Sequence, residues 1–287
     1  MKFFLRKLRL YSKGKRRVSY IETDEDLSLL KLSLEKESIF GIDTEFDWRT
    51  TYFPKLSLLQ IVTSKDIFLI DCLLDIDLSV LKEYMEDENK LIIFHAARSD
   101  ATVLNTNLNI QIKNSYDIQI AEKFLRGGDL KNYGSIVNDY FSINLDKAEA
   151  NSNWLKRPLS KSQLNYAMQD VLFLIEIFKI QKKELIKNEK YNLVIKASEL
   201  ETNLGNQPLK SLRVKKLKQK LSRRRKEIFL WREEVAELEN VPPNYIFKDK
   251  HLKMLADLNP ADNEAKVKIM KIIGNTDLTN LFIENFL

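Results

Sequence analysis

Asp43 and Glu45 are the first residues whose types and spacing could do chemistry. They are two positions apart within residues 40–46, a segment typical of a strand, so both side chains project from the same face. Carboxylates that lie side by side repel each other unless a divalent cation lies between them. Alone, the pair also fits a solvent-facing edge of a sheet, because such a spacing is common.

Two further acids and a tyrosine could complete a metal site with this pair. Asp100 follows the apolar run 90–96, at the carboxyl end of a predicted buried strand, where open α/β sheets bind ligands. It also fits the N-cap of the helix that follows. Asp170 is four residues after Tyr166 in a predicted helix, so the two side chains lie one above the other. A tyrosine at this spacing is also common in helix packing.

The segments around these residues predict the elements that position them. Three strands come first and strands then alternate with helices, which indicates an α/β fold whose sheet starts antiparallel. Ser160 and Gln163 predict a capping box at the start of one helix, whose apolar positions continue to Phe178. Asp117 is predicted to cap another helix. The predicted strands are residues 40–46, 55–62, 66–71 and 90–96.

The composition limits the kind of metal site and the compartment. The chain has two histidines, His95 and His251, so oxygen ligands, and with them Mg²⁺ or Mn²⁺, are favoured over Zn²⁺. The single cysteine, Cys72, excludes an intramolecular disulfide and fits a reducing, cytoplasmic location. No apolar run reaches the roughly 18 residues of a membrane span, so we expect no membrane partner.

Positive charge is concentrated in two segments. Residues 1–17 contain eight Lys or Arg and no acid, and residues 210–226 contain ten and no acid, in a chain with a net charge of +6. The remainder of the chain is therefore acidic. A basic surface joined to an acidic body is typical of a protein that holds polyanions and collects metal ions, although basic runs are often solvated tails or linkers.

Three longer segments resemble one known family. Residues 40–60 (FGIDTEFDWRTTYFPKLSLLQ), 93–100 (IFHAARSD) and 145–170 (LDKAEANSNWLKRPLSKSQLNYAMQD) are similar to the three exonuclease motifs of the ribonuclease D family. That family belongs to the tyrosine-bearing branch of the DEDD superfamily. The histidine-bearing branch has a histidine at the position of Asn165.

The C-terminal part resembles the HRDC domain, a small helical module that binds nucleic acid, in residues 230–236, 241–243 and 247–249. The two resemblances imply an α/β, ribonuclease-H-like mixed sheet flanked by helices, and a small all-α HRDC domain. Well-known bacterial relatives often have two such domains, and the remaining length fits one. The predicted division is a basic arm at residues 1–17, an exonuclease domain at 18–205, and a basic linker with a single HRDC domain at 206–287.

The resemblance also implies an activity and a set of site residues. The activity is 3′–5′ exoribonuclease cleavage with two divalent ions, Mg²⁺ or Mn²⁺, and we expect it to act on tRNA precursors. By analogy Asp43 bridges the two ions, Glu45 and Asp170 complete one site, and Asp100 supports the second through water. Tyr166 orients the attacking water, because a side chain with an ordinary pKa of about 10 is a poor base at neutral pH.

Three further residues are predicted to contact the substrate. Phe46 and Gln60 are expected in the pocket for the terminal base, and Lys147 at a phosphate. Each has an ordinary alternative, which is core packing for Phe46, a sheet hydrogen bond for Gln60 and a surface charge for Lys147.

Two other functions stay open at this point. A DNA 3′–5′ exonuclease of the same fold would take single-stranded DNA and differ in its contacts with the 2′-hydroxyl. A catalytically silent RNA-binding scaffold is disfavoured because all four acids and the tyrosine are present. We expect a monomer whose partner is the single-stranded 3′ end of RNA.

Overall fold

The computed structural model describes residues 16–216, 221–259 and 264–287. The chain divides into two compact units. The first comprises the described residues up to Asp47 together with Pro54–Gln207, and the second comprises Trp48–Phe53 and the described part of Pro208–Leu287. Residues 1–15 of the predicted basic arm and residues 217–220 of the second basic segment lie outside the described residues. The predicted domain boundaries therefore stay a prediction.

The first unit is built on a mixed six-stranded sheet with the strand order β1-β4-β3-β2-β5-β6. The pairs β2–β3 and β3–β4 are antiparallel, as predicted, and the other neighbouring pairs are parallel. Since β2 lies between β3 and β5, the interpretation of the Asp43–Glu45 strand as a sheet edge is wrong. The strands are β1 (Arg17–Ile21), β2 (Ile39–Asp47), β3 (Lys55–Val62), β4 (Asp66–Asp71), β5 (Leu91–Phe94) and β6 (Ser115–Asp117).

Helices flank this sheet, and several begin where local capping predicts. Ser160 and Gln163 form the expected capping box, and the Asp117 side chain accepts a hydrogen bond from the Gln119 N–H as an N-cap. The predicted helix that continues to Phe178 is two helices that meet at Phe173. The helices of this unit are α1 (Asp24–Leu34), α2 (Lys82–Met85), α3 (Arg98–Leu108), α4 (Ile118–Arg126), α5 (Tyr133–Phe141), α6 (Lys161–Leu172), α7 (Leu174–Lys187) and α8 (Tyr191–Gly205).

The two faces of the sheet carry separate cores. Phe40 and Ile42 of β2 pack into one core, and helices α6 and α7 supply the other. Gly41 allows α7 to approach β2 closely, since a Cβ there would lie 2.7 Å from Val62 Cγ1 and 2.9 Å from Leu174 Cδ1. The alternation of β2 therefore places Asp43 and Glu45 on the face that α6 covers.

The second unit is helical and includes six residues from between β2 and β3. Tyr52 is fully buried in its core, and the Asn240 side chain accepts hydrogen bonds from the N–H groups of Tyr52 and Phe53 at 3.1 and 3.2 Å. No helix in the described part of the chain is long and apolar enough to cross a membrane. The helices of the second unit are α9 (Leu209–Lys216), α10 (Arg223–Leu238), α11 (Pro243–Ile246), α12 (Leu252–Ala256), α13 (Ala265–Ile273) and α14 (Thr276–Phe286).

Candidate active site

Three of the predicted ligands form one cluster in the first unit. Asp43 and Glu45 come from β2 and Asp170 from α6, and each offers a carboxylate oxygen that lies within 4.8 Å of the other two. The strand alternation aligns the first two, and the packing of α6 on that face brings the third. All three side chains are partly exposed to a cavity of about 350 Å³.

Asp100 lies beside this cluster but is not one of the three. It is 4% exposed, and its Oδ1 accepts a hydrogen bond from Thr44 Oγ1 at 2.6 Å. It lies in the first turn of α3, which begins at Arg98, so its interpretation as an N-cap is wrong. This placement outside the three-carboxylate group is compatible with the predicted contact through water.

The four acids are held in an environment that disfavours their charged forms. Burial raises the pKa of Asp43 to about 7. Burial raises the pKa of Glu45 to about 10, and repulsion from Asp43, Asp170 and Asp100 adds to the effect. Burial first, and then the charge of Asp43, raise the pKa values of Asp100 and Asp170 well above their usual range. Among the described residues, no Lys or Arg forms an ion pair with any of the four.

Tyr166 lines the same cavity from α6, one turn before Asp170. Burial raises the pKa of its hydroxyl, and the nearby charges of Asp170, Glu45 and Asp43 raise it further. Its ring lies 6.0 Å from that of Trp154, measured between centroids. The hydroxyl therefore stays protonated at neutral pH, where it can hold and orient a water molecule.

Lys147 and Asn132 form another part of the cavity wall. Lys147 Nζ donates a hydrogen bond to Asn132 Oδ1 at 3.2 Å. A Cβ at Gly134 would lie 3.2 Å from Lys147 Cε, so the absence of a side chain there leaves room for the lysine. An ammonium group thus lies at the acidic cavity, where it can meet an anionic substrate.

His95 also lines the cavity and was not predicted as a site residue. Its Nε2 lies 3.1 Å from the Lys131 carbonyl oxygen, and burial lowers its pKa, so the ring is neutral. The signal that could have found it is its position directly after β5, where ligand sites of α/β sheets lie.

A family model described as a 3′–5′ exonuclease matches residues 18–186, and an HRDC domain model matches residues 222–274. Ribonuclease D of Desulfotalea psychrophila is 32% identical over 253 residues, which cover 85% of this chain and 68% of that protein. The chain belongs to the ribonuclease D family. It spans from 63% to 68% of the length of the curated ribonuclease D relatives it matches. The predicted enzyme class, a 3′–5′ exoribonuclease, is confirmed at the level of the family.

Two solved structures have the same fold. Escherichia coli RNase D, described as an exoribonuclease involved in structured RNA processing, matches with a TM-score of 0.81 at 23% identity, over 93% of this chain and 74% of that one. Brucella melitensis NrnC with bound Mg²⁺ matches with a TM-score of 0.56 at 18% identity, over 71% and 94% of the two chains. The predicted ribonuclease-H-like exonuclease fold with a helical HRDC domain is confirmed.

Phe46 and Gln60 were predicted to contact the substrate. Neither is among the described residues that line the cavity around Asp43. Phe46 is partly buried near the end of β2, next to a register shift between β2 and β3. Gln60 is fully buried on β3, directly across from Asp43, and neither amide atom of its side chain has a hydrogen-bond partner. This placement does not support a direct contact between Gln60 and a substrate base.

Proposed function

We propose that this member of the ribonuclease D family hydrolyses single nucleotides from RNA 3′ ends, trims tRNA precursors, and uses two divalent ions, Mg²⁺ or Mn²⁺. One observation carries the proposal. Three carboxylate oxygens, from Asp43, Glu45 and Asp170, lie within 4.8 Å of one another, and no Lys or Arg in the described part of the chain forms an ion pair with them. Such a group costs stability unless protons or metal ions bind to it.

The donor set fits a hard divalent ion. All the candidate ligands are carboxylates, and no cysteine is among them, so Mg²⁺ or Mn²⁺ is favoured over a softer metal. Asp43 would bridge the ions, Glu45 and Asp170 would complete one site, and Asp100 would support the second. The bound ions would acidify the attacking water and stabilise charge on the phosphoryl group. The NrnC structure with bound Mg²⁺ supports this choice of ion.

The other residues of the cavity have roles that do not require them to be ligands. The protonated hydroxyl of Tyr166 orients the water by hydrogen bonding. Lys147 contributes a positive charge for a substrate phosphate. Thr44 donates to Asp100 at 2.6 Å and so restrains that carboxylate.

RNA is favoured as the substrate because the matched curated relatives are ribonucleases, and E. coli RNase D is described as acting in structured RNA processing. The HRDC match supports a nucleic-acid partner. The choice of tRNA precursors extends this description to one class of structured RNA. We further propose a cytoplasmic monomer, and the single cysteine supports a reducing compartment.

The test is digestion of 5′-labelled strands of RNA and DNA of the same sequence, with Mg²⁺, Mn²⁺ or EDTA, by the wild type and Asp43→Asn. A tRNA precursor with extra 3′ nucleotides and the mature tRNA form the second substrate pair. We expect a descending ladder on RNA that stops at the mature end and is absent with EDTA or Asp43→Asn.

Each other outcome overturns part of the proposal. Equal ladders on RNA and DNA would contradict the RNA preference and support a DNA exonuclease. RNA binding without cleavage would contradict the nuclease activity and support a catalytically silent RNA-binding scaffold. Cleavage that continues in EDTA would contradict the role of the metal ions.

A further inference from the structure

Helix α8 lies outside residues 18–186, which the exonuclease model matches, yet it packs directly on the helix that carries Asp100. A Cβ at Gly205 would lie 2.6 Å from the Arg98 carbonyl oxygen and 2.7 Å from Ala101 Cβ. The glycine therefore lets the end of α8 touch the first turn of α3, where Asp100 lies. Arg98 forms an ion pair with Glu201 of α8 at 2.5 Å.

A second connection runs from α8 to the loop before Asp100. Ser198 Oγ accepts a hydrogen bond from the Asp117 N–H at 2.9 Å on the edge strand β6. The Asp117 carboxylate, 1% exposed, then accepts hydrogen bonds from the N–H groups of Ala96 and Ala97 at 3.1 and 2.9 Å. Both are backbone groups of the loop that joins β5 to α3.

That loop needs such support because of its backbone conformation. Ala96 has a φ of +62°, in the left-handed region that residues with a side chain rarely adopt. Ala97 immediately precedes the first turn of α3. A carboxylate that fixes both N–H groups therefore fixes the direction in which α3 starts and the place where Asp100 lies.

We propose that α8 is a brace that positions Asp100 for metal binding, and that Gly205, Ser198 and Asp117 are positioning residues of the nuclease site. The brace acts through two separate routes, the contact of Gly205 with α3 and the hydrogen bonds from Ser198 through Asp117 to the loop. This inference rests on the proposed function, because it concerns the second metal site of that function.

The experiment uses the full chain and three variants, Gly205→Ala, Ser198→Ala and Asp117→Asn. Leu200→Ala is the matched control, since Leu200 is on the same helix and 60% exposed. Three quantities are measured for each protein: Mn²⁺ binding by calorimetry, kcat and KM for 5′-labelled RNA as a function of Mn²⁺ concentration, and the thermal unfolding temperature.

We expect the three variants to bind the weaker of two Mn²⁺ ions about tenfold less tightly, as for other residues that orient a metal ligand. Excess Mn²⁺ should restore kcat, and KM for RNA should stay unchanged. Leu200→Ala should behave as the wild type. If Gly205→Ala fails to fold, Asp117→Asn decides the outcome, because it keeps the shape of the side chain and removes one acceptor.

The brace is overturned if the folded variants bind both ions as the wild type does, or if excess Mn²⁺ does not restore kcat. Failure of the proposed function gives a different result. In that case the wild type itself shows no metal-dependent cleavage, while calorimetry still reports whether α8 affects Mn²⁺ binding.

Discussion

In the first unit, Asp71 and the acids around Asp43 differ in what surrounds their carboxylates. Asp71, at the end of β4, accepts two hydrogen bonds from Arg157 at 2.6 Å and one from the Tyr20 hydroxyl at 2.7 Å. Burial acts to raise the pKa of Asp71, but the hydrogen bonds from Arg157 and Tyr20 bring it below its usual value. Asp43 lies in the same sheet, and burial raises its pKa to about 7.

The difference separates structural acids from functional ones. The fold neutralises Asp71 with an arginine from elsewhere in the chain, so the carboxylate holds two segments together. The acids around Asp43 have no such partner among the described residues, and their mutual repulsion lowers the stability of the folded state. We infer that these acids are kept for what they bind, at a cost in stability.

The largest loss of stability is expected when Glu233 of the second unit, which is paired with arginines, is substituted. Glu233 is fully buried and pairs with Arg213 at 3.0 Å and Arg232 at 3.1 Å. Glu233→Gln leaves Arg213 without its counter-charge and leaves Arg232 with Asp249 alone, so the unfolding free energy should fall by about 4 kcal/mol. Denaturant unfolding followed by tryptophan fluorescence measures this loss. A change near zero would contradict the view that acids paired with arginine stabilise the fold.

Asp71→Asn should lower the unfolding free energy by about 3 kcal/mol, because Arg157 then lacks a charged partner in a largely buried place. Arg157 is 23% exposed at its side chain, so water compensates part of the loss. The measurement is urea unfolding, with Asp77→Asn as a control at an exposed carboxylate of the same unit. Equal effects of the two substitutions would show that the ion pair is not what stabilises this region.

In the absence of metal, Asp43→Asn should raise the unfolding free energy, whereas the two substitutions above lower it. The amide carries no charge, so the repulsion among the remaining acids decreases and the unfolding free energy in EDTA at pH 8 should rise by about 1 kcal/mol. Thermal unfolding of the wild type and the variant checks this. A loss of stability in EDTA would mean that the Asp43 carboxylate has a structural partner.

The last effect is a change in how stability depends on pH. The folded-state pKa of Asp43, about 7, is above its usual value of 3.8, so its contribution is fully present below pH 3.8 and is lost as pH rises through 7. The unfolding temperature in EDTA should therefore fall over that interval, and Mg²⁺ should offset the fall because it binds the ionised form. We expect a smaller fall in Asp43→Asn, where the raised pKa values of Glu45, Asp100 and Asp170 still contribute. A fall of the same size as in the wild type would refute the assignment to Asp43.

Short-range patterns predicted much of the site. Alternation along a strand places Asp43 and Glu45 on one face, and the capping box of Ser160 fixes the start of the helix that carries Tyr166 and Asp170. Each of these inferences needs only a few neighbouring residues. The prediction that Asp117 caps a helix is confirmed for the same reason.

Long-range contacts account for what the sequence could not show. Arg157 and Asp71 are 86 positions apart, and Asp117 and Ser198 are 81 apart, so no local pattern joins either pair. Strand β1 was not predicted, because it begins at the last residue of the basic segment 1–17 and pairs in parallel with the distant β4. Gln60 has the spacing of a strand residue, but only the register with Asp43 shows where its amide lies.

The six residues Trp48–Phe53 have a consequence for how this chain could be recombined. They lie between β2 and β3 in the sequence, yet Tyr52 fills the core of the helical unit, where Arg213 lies 4.3 Å from its ring. A helical unit transferred as residues 208–287 alone would leave this tyrosine behind and carry a cavity in its place. The two units are thus interleaved in the sequence. An exchange of the helical unit between relatives must therefore include residues Trp48–Phe53.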